Sequence, residues 1–305
     1  MSQLTQETIT GSAARGSGYR AWRRVTPYFG VLPFLTLATL FLLWPTISVM
    51  TGAFQDAKGH FTFQSVHDVW TSSTHLAIFK NTLLLSGETA LIGALLGGLL
   101  SYAVATGKPD GILRRIWVSA TGVLAQFGGV MLAFGFVATF GFNGFITTFV
   151  KSFAPHSFFA NPSWLYGITG LAFVYCFFQI PLMFIVFLPA IDNLRANWRE
   201  ASDSLGGSTW EYWRRVGIPV LTPSFLGSAL LLFANAFSAY ATAASLVSQG
   251  SIITPLEISG SLSSETGLAN AATAKALSFG MVAVVVVVMA LYTLLRRKVS
   301  KWEKS

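Results

Sequence analysis

An uncharged run of 26 residues decides the fold class. Residues 164–189 read WLYGITGLAFVYCFFQIPLMFIVFLP. A helix that crosses a bilayer needs about 20 mostly apolar residues, so this stretch is long enough to span one. Five further stretches have the same character. The sequence therefore predicts an all-α polytopic membrane protein with six transmembrane helices, at 28–50, 81–106, 116–141, 164–189, 224–246 and 268–295.

The overall composition of the chain agrees with a membrane protein. Of the 305 residues, 53% are hydrophobic and only 10% are charged, and the mean hydropathy is +0.59. A soluble domain carries about 25% charged residues, and a disordered chain combines low hydrophobicity with high net charge. Both of these classes are excluded. The single cysteine, Cys176, lies inside an apolar run, so no intrachain disulfide is expected.

The distribution of basic residues predicts the orientation of the six spans. Sixteen of the 20 Lys and Arg residues fall in four segments: the N-terminal tail 1–27, the loops 107–115 and 190–223, and the C-terminal tail 296–305. Six spans place all four segments on one side, and positively charged loops favour the cytoplasm. Both termini are therefore predicted to be cytoplasmic, flanking a transmembrane domain at 28–295. All four histidines fall in outer loops, so no metal site is expected within the membrane.

The cytoplasmic loop 195–223 reads as two short helices separated by a tight break. Asn197 can cap the first helix, and Glu200 stands three residues later, which is the spacing of a capping box. Gly206 and Gly207 suit a left-handed stop at the end of that helix.

The second short helix begins with another capping-box pair, Ser208 and Glu211, and Pro219 is expected to end it. Aromatic side chains beside arginines are typical of a surface that docks another protein. The alternative is an interfacial helix with its aromatics in the lipid headgroup layer. The side chains predicted to be exposed are Trp210, Tyr212, Trp213, Arg214 and Arg215.

This loop resembles the EAA loop of permease subunits in binding-protein-dependent ABC importers. The family pattern is Glu-Ala-Ala, three residues, Gly, nine residues, Ile, one residue, Leu-Pro. The chain carries Glu200-Ala201-Ser202, Gly206, Val216 and Ile218-Pro219 at these positions. It departs from the pattern at Ser202, Val216 and Ile218, each time by a residue of similar size and character. More loosely, Asn81-Thr82 and Phe142-Asn143-Gly144 resemble permeases for polyamines, iron, thiamine or aminoethylphosphonate more than sugar permeases.

The resemblance implies a type I importer permease fold and a set of partners. These are a second permease subunit, identical or homologous, two cytoplasmic ABC ATPases and an extracytoplasmic solute-binding protein that delivers a small solute. It also implies a multi-pass location in the bacterial cytoplasmic (inner) membrane. The residues expected to couple to the ATPase are Glu200, Ala201, Ser202, Gly206, Ser208, Trp210, Glu211, Trp213, Arg214, Val216, Ile218 and Pro219.

No enzymatic activity is expected of this chain itself. Its only Gly-Lys pair, Gly107-Lys108, lacks the upstream glycine of a phosphate-binding loop, because position 102 is Tyr. ATP and Mg²⁺ are therefore expected on the partner ATPase, and no cofactor on this chain. An intramembrane protease would need two aspartates, or a serine with a histidine, within the spans, and neither set is present.

A few polar residues within the spans are candidates for the translocation pathway. Glu88 and Lys275 each stand seven residues from the predicted outer start of a span, so they either pair or face a water-filled cavity separately. The neutral polar residues either line the pathway or form hydrogen bonds between helices; they are Gln126, Gln179, Asn235, Ser238, Tyr240 and Thr242. A secondary transporter driven by an ion gradient remains the alternative function.

Overall fold

The computed structural model describes residues 31–56, 59–107, 111–194, 196–247, 252–263 and 268–300, and within these ranges every regular element is a helix. The helices are α1 (Val31–Gly52), α2 (Gln64–Thr71), α3 (Ser73–Ala105), α4 (Ile112–Gln126), α5 (Gly129–Phe140), α6 (Phe145–Phe153), α7 (Ile168–Asp192), α8 (Ala196–Ser204), α9 (Thr209–Phe237), α10 (Ala241–Leu246), α11 (Thr254–Ser263) and α12 (Leu268–Ser300).

Six helical stretches among the described residues are long and apolar enough to cross a membrane, which confirms the predicted number. They are Val31–Gly52, Ser73–Ala105, Gly129–Phe153, Ile168–Asp192, Thr209–Phe237 and Ala271–Leu294. The predicted N-terminal tail 1–27 lies outside the described residues. Helix α12 continues through Ser300 into the predicted C-terminal tail.

The third predicted span is not one helix. The prediction of a continuous helix over 116–141 is wrong, because α4 ends at Gln126 and α5 begins at Gly129. Gly129 has a φ of +66°, a left-handed conformation that costs other L-residues about 1–2 kcal/mol. The apolar composition predicted a membrane segment here, and the Gly128-Gly129 pair divides it.

The fifth predicted span is also displaced along the chain. Its helix, α9, begins at Thr209 rather than at 224 and ends at Phe237, and the short helix α10 follows after Ser238–Tyr240. Much of the second half of the cytoplasmic loop is therefore a direct continuation of the fifth spanning helix. Among the described residues, the third and the fifth predicted spans thus each contain a helix break, at Phe127–Gly128 and at Ser238–Tyr240.

The close contact of α3 with α7 forms the centre of the fold. A Cβ on Gly97 would lie 2.5 Å from Met183 Cβ and 2.6 Å from the Ile180 carbonyl oxygen, so only glycine fits at this crossing. Gly93 approaches Gln179 in the same way. This is the small-residue packing that membrane helices use, because without a side chain the two backbones can come close together.

One predicted outer-loop histidine lies in a helix instead. His75 is in the first turn of α3, which begins eight residues before the predicted span. Its side chain is largely buried, and its Nδ1 lies 3.7 Å from Glu257 Oε1 on α11. Nearby, the backbone N–H of Thr254 donates to Thr82 Oγ1 at 2.8 Å. These contacts attach α11 to the N-terminal half of α3.

Candidate functional site

The first helix of the cytoplasmic loop ends as the sequence predicts, in a left-handed glycine. The Gly207 N–H donates to the Ser202 carbonyl at 2.9 Å, and the Gly206 N–H donates to the Asp203 carbonyl at 3.0 Å. Together these bonds make a Schellman motif, in which the glycine after the last helical residue has a positive φ. Gly206 has a φ of +75°, so the predicted stop is confirmed.

Gly207 is required for a different reason, which is space. A Cβ at this position would lie 2.7 Å from Ser202 Oγ and 3.0 Å from the Ser202 carbonyl oxygen. Ser202 is one of the positions where the chain departs from the family pattern. The departure is accommodated because the residue that faces Ser202 has no side chain.

The second capping box is present in the structure and the first is not. The Ser208 N–H donates to Glu211 Oε2 at 3.1 Å, and the Glu211 N–H donates to Ser208 Oγ at 3.3 Å. This reciprocal pair starts α9 at Thr209, as predicted. The prediction for Asn197 is wrong, because α8 begins at Ala196 and Asn197 is therefore already inside the helix.

The aromatic side chains after this cap do not share one exposed face, so the predicted exposure of all three is wrong. Trp210 is 68% exposed, whereas Tyr212 is only 5% exposed. Trp213 packs edge-on against Tyr102 at the end of α3, with ring centroids 5.2 Å apart, and its ring also lies over Gly217. Tyr212 and Trp213 therefore anchor the segment to the bundle, and Trp210 alone of the three projects from it.

Pro219 does not end this helix, contrary to the prediction. A wider π-helical turn, Trp213–Gly217, directly precedes it, and the helix then continues to Phe237. Proline lacks an N–H and its ring clashes with the carbonyl four residues earlier in a regular helix. A π turn changes the hydrogen-bond register locally, which lets the chain pass through Pro219 without a stop.

A groove of about 580 Å³ separates α8 from the first turns of α9. Five predicted coupling residues line it, namely Ala201, Ser202, Gly206, Glu211 and Val216. Glu211 also forms an exposed ion pair with Arg215 at 3.6 Å. The remaining predicted coupling residues lie around the groove, and all but the half-buried Trp213 are exposed; they are Glu200, Ser208, Trp210, Trp213, Arg214, Ile218 and Pro219.

The side chain of Glu200 lies at the surface of the loop. Its side chain is exposed on α8, and no ion pair to it occurs among the residues that the structure describes. Its backbone carbonyl accepts a hydrogen bond from Ser204 Oγ at 2.8 Å. The carboxylate is therefore available to a partner at the surface of the loop.

A second cavity, of about 280 Å³, lies where the two helix breaks meet. Four of the predicted pathway residues line it: Asn235, Ser238, Tyr240 and Thr242. Gly128 and Gly129 line the opposite side. The Tyr240 hydroxyl lies 2.8 Å from Ser259 Oγ on α11, which links this cavity to the outer helix. None of the described lining residues carries a formal charge at neutral pH.

The other pathway candidates lie elsewhere. Gln179 is fully buried, and its Nε2 donates to the Leu232 carbonyl at 3.0 Å, so it joins α7 to α9. Gln126 is exposed at the end of α4, outside the lining of the cavity. Gln179 therefore forms the interhelical hydrogen bond that was the alternative to a pathway role.

Glu88 and Lys275 do not form the ion pair proposed for them. No ion pair among the described residues joins the two, and Glu88 is exposed on α3. The stem of Lys275 instead packs on α1, where a Cβ on Gly52 would lie 2.8 Å from Lys275 Cδ. Equal depth along two helices did not bring the charges together, because Glu88 lies at the surface of α3 and Lys275 turns toward α1.

Two features of these sites were missed from the sequence. Leu205 is 89% exposed at the end of α8 and lines the groove together with Trp198. A leucine directly before the Gly206 stop, among polar residues, was the available signal. The second missed feature is the Gly128-Gly129 break, which only the glycine pair could have indicated.

Comparison with known proteins decides the family. Residues 93–301 match the family described as binding-protein-dependent transport system inner membrane component. The chain belongs to this family. The match includes the cytoplasmic loop, both helix breaks and both cavities, and it makes the chain a membrane component of a transport system.

Several curated members of the family are similar to the chain. A ferric transport system permease protein of Actinobacillus pleuropneumoniae is 22% identical over 206 residues, which cover 67% of this chain and 29% of that protein. A thiamine transport system permease protein of Escherichia coli is 27% identical over 38% of this chain and 21% of its own length. A sulfate transport system permease protein of Salmonella typhimurium is 23% identical, over 57% of this chain and 59% of its own.

The fold is shared with a solved transporter. A chain of a bacterial ABC transporter for the acidic polysaccharide alginate superposes with a TM-score of 0.67 at 18% identity, over 93% of this chain and 98% of that one. The same transporter in complex with an alginate pentasaccharide-bound periplasmic protein gives a TM-score of 0.68 at 19% identity, over 92% and 99%. The chain matches only about three-tenths of the length of its ferric relatives.

Proposed function

We propose that this chain is the permease subunit of an ATP-driven importer, in which a separate ABC ATPase docks on the cytoplasmic loop. The observation that carries the proposal is the construction of that loop. A Schellman stop at Gly206 and a capping box at Ser208 and Glu211 fix the start of α9. Trp210 and Leu205 then project beside a groove of about 580 Å³.

The first turns of α9 are suited to transmit a movement of the ATPase into the membrane. They continue without interruption into the fifth spanning helix, and Tyr212 and Trp213 anchor them to the bundle. A displacement of Trp210 is thus carried into α9, whose far end at Phe237 adjoins the neutral cavity. Such a permease needs two helix packings of similar free energy, and its partners bias the equilibrium between them.

The neutral cavity at the two helix breaks is the proposed stretch of the translocation pathway in this subunit. It carries hydrogen-bonding groups on Asn235, Ser238, Tyr240 and Thr242 and no formal charge. Such a lining can hold a passing solute only weakly, so the choice of solute is assigned to an extracytoplasmic binding protein. The proposed assembly has two permease subunits, two ATPases that hold ATP and Mg²⁺, and a place in the bacterial inner membrane with both termini cytoplasmic.

Purification of the assembly and assay of ATP hydrolysis test the proposal. The tagged 305-residue chain is co-expressed with candidate ABC ATPases from the same genome, and the complex is purified and reconstituted into proteoliposomes. The expected result is co-purification of the ATPase, vanadate-sensitive hydrolysis by the complex and no hydrolysis by the chain alone.

Uptake measurements separate this function from the alternative. Proteoliposomes with the chain alone are tested with ferric ion, thiamine and sulfate, the solutes named for its relatives, under an imposed proton or sodium gradient. No uptake is expected without the ATPase. Gradient-driven, vanadate-insensitive uptake by the chain alone would establish a secondary transporter and overturn the proposal.

A further inference from the structure

Helix α6, in the predicted outer loop between residues 141 and 164, displays a stripe of three phenylalanines. Phe145, Phe149 and Phe153 are 76%, 61% and 64% exposed. Phe149 stacks on Phe145 with ring centroids 6.5 Å apart and meets Phe153 edge-on at 5.0 Å. Three large apolar side chains in mutual contact on one surface mark an interaction site, because scattered exposed apolar residues do not form such a row.

The opposite side of α6 is fixed to the end of α5. Thr147 is fully buried, and its Oγ1 donates to the Phe140 carbonyl at 3.0 Å. The turn between the two helices has no room for side chains, because a Cβ on Gly144 would lie 2.6 Å from the Thr139 carbonyl oxygen and one on Gly141 would collide with the Val137 carbonyl oxygen. The phenylalanine stripe therefore has a defined direction relative to the bundle.

The third side of α6 is polar. At 3.6 residues per turn, the three phenylalanines occupy an arc of about 80°, and the buried Thr147 lies about 160° from the middle of that arc, nearly opposite it. The exposed Lys151, Thr148 and Ser152 occupy the part of the helix surface between Thr147 and Phe145. A helix with one apolar stripe and one polar stripe, with lysine on the polar side, is typical of a helix that lies in the plane of a membrane surface.

The phenylalanine stripe lies close to the apolar surface of the spanning helices. The segment that follows α6 contributes Phe158, Phe159 and Trp164 to an apolar groove of about 550 Å³ on α3 and α7. The exposed side chains Ile92 and Leu96 on α3 line the same groove. An apolar surface on helices that cross the membrane is suited to contact with hydrocarbon, and α6 leads directly into the segment that lines it.

We infer that α6 is a lipid-binding interfacial helix, whose phenylalanine stripe enters the outer leaflet while Lys151 lies among the lipid phosphates. The third crossing of the membrane is then made by α4 and α5 together, and residues 145–153 are not part of it, although the stretch Gly129–Phe153 is long and apolar enough to be counted as a span. The apolar face of an interfacial helix, often with phenylalanine on it, enters the boundary between headgroups and acyl chains by about 5–10 Å. The inference depends on the chain being a membrane protein and is independent of ATPase docking.

Spin-label accessibility in proteoliposomes tests this inference. Single cysteines replace Phe149, Phe153 or Thr148 in a Cys176→Ala background, and each carries a nitroxide label in vesicles of phosphatidylethanolamine and phosphatidylglycerol. Collision rates are measured with oxygen, which partitions into lipid, and with a nickel chelate, which stays in water. The matched control is Thr148 on the polar stripe of the same helix, and a label at Leu205 gives the water reference.

The expected oxygen-to-nickel collision ratio at positions 149 and 153 is at least about fivefold higher than at position 148, and the ratio at 148 approaches that at 205. Equal ratios at 149 and 148 would place the stripe in water and overturn the inference. Protection of 149 and 153 from both reagents would show that another protein subunit covers the stripe, which also overturns it. The full chain is used throughout, and the fold is retained because the labelled side chains are exposed and Cys176→Ala removes only a small, half-buried group.

Discussion

Two short aromatic-rich segments, one in the loop 195–223 and one between α5 and α7, use the same kind of residue differently. At the cytoplasmic end, the first turns of α9 hold Trp210, Tyr212 and Trp213, of which only Trp210 projects from the structure. At the outer end, α6 presents Phe145, Phe149 and Phe153 together, as one stripe. The first arrangement is a rigid projection with one protruding ring, and the second is a broad apolar surface.

The role of an aromatic side chain therefore depends on how many such side chains are exposed together and on what holds them in place. A single anchored tryptophan beside a groove suits a protein partner, because hot spots at interfaces are few, large and held rigidly. A continuous row of phenylalanines suits a fluid partner, since lipid adapts its shape and needs no complementary pocket. Aromatic composition alone does not distinguish a protein-docking segment from a lipid-facing one. The burial of Tyr212 distinguishes them, because it leaves Trp210 as a single projecting ring.

Substitution of Gly206 is expected to have the largest effect on ATPase binding. Gly206→Val forces a β-branched residue into a φ of +75°, at a cost of about 1–2 kcal/mol or more for the left-handed conformation. The Schellman turn is then lost and the groove beside α9 changes shape. We expect at least a tenfold loss of ATPase co-purification with the tagged chain, at an unchanged level of chain in the membrane.

Gly59→Val is the matched control for that substitution. Gly59 also has a positive φ, of +83°, and at both glycines a Cβ would meet open space. Its strain is therefore similar, but it lies before α2 on the outer side. Full ATPase co-purification is expected for Gly59→Val, and an equal loss in both variants would contradict a specific role for the cytoplasmic turn.

A smaller effect on ATPase binding is expected at Trp210, which is proposed to dock the ATPase, whereas Tyr212 anchors the segment. Trp210→Ala removes an exposed ring, so we expect about tenfold weaker ATPase binding, or about 1.4 kcal/mol, with unchanged thermal stability in detergent. Tyr212→Ala removes a buried ring and should lower the stability by about 3–5 kcal/mol. Titration of the ATPase and thermal unfolding together measure both quantities. The interpretation fails if Trp210→Ala is the variant that loses stability.

The smallest effect concerns the capping box of α9. Ser208→Ala removes the acceptor of the Glu211 N–H and should cost about 1 kcal/mol, which weakens ATPase binding by no more than about fivefold. Ser204→Ala is the control, because Ser204 Oγ only bonds back to the Glu200 carbonyl within α8. The same binding titration measures both variants, and an equal effect of the two would rule out a contribution from the cap.

The sequence predicts the local features of the cytoplasmic loop well, because short-range chemistry determines them. The stop at Gly206 and the pair of Ser208 with Glu211 depend on residues at most five positions apart. Apolar length alone likewise predicts six spans. These features need no knowledge of which helices are neighbours.

Features that depend on distant residues could not be predicted. Trp213 is half-buried because Tyr102, more than a hundred residues earlier, packs against it. Pro219 is tolerated because a π turn precedes it, and Lys275 turns toward Gly52 rather than Glu88. Each outcome depends on the tertiary packing of the helices, which periodicity and capping rules do not contain.

Site-specific photo-crosslinking tests directly whether the ATPase docks at Trp210 and not at α6. A benzophenone amino acid replaces either Trp210 or Phe149 in the full chain, co-expressed with its ABC ATPase in native membranes, and the membranes are illuminated. If the ATPase docks at Trp210, a covalent adduct with the ATPase is expected from position 210 and none from position 149. An ATPase adduct from position 149, or none from position 210 in a complex that still hydrolyses ATP, would contradict it.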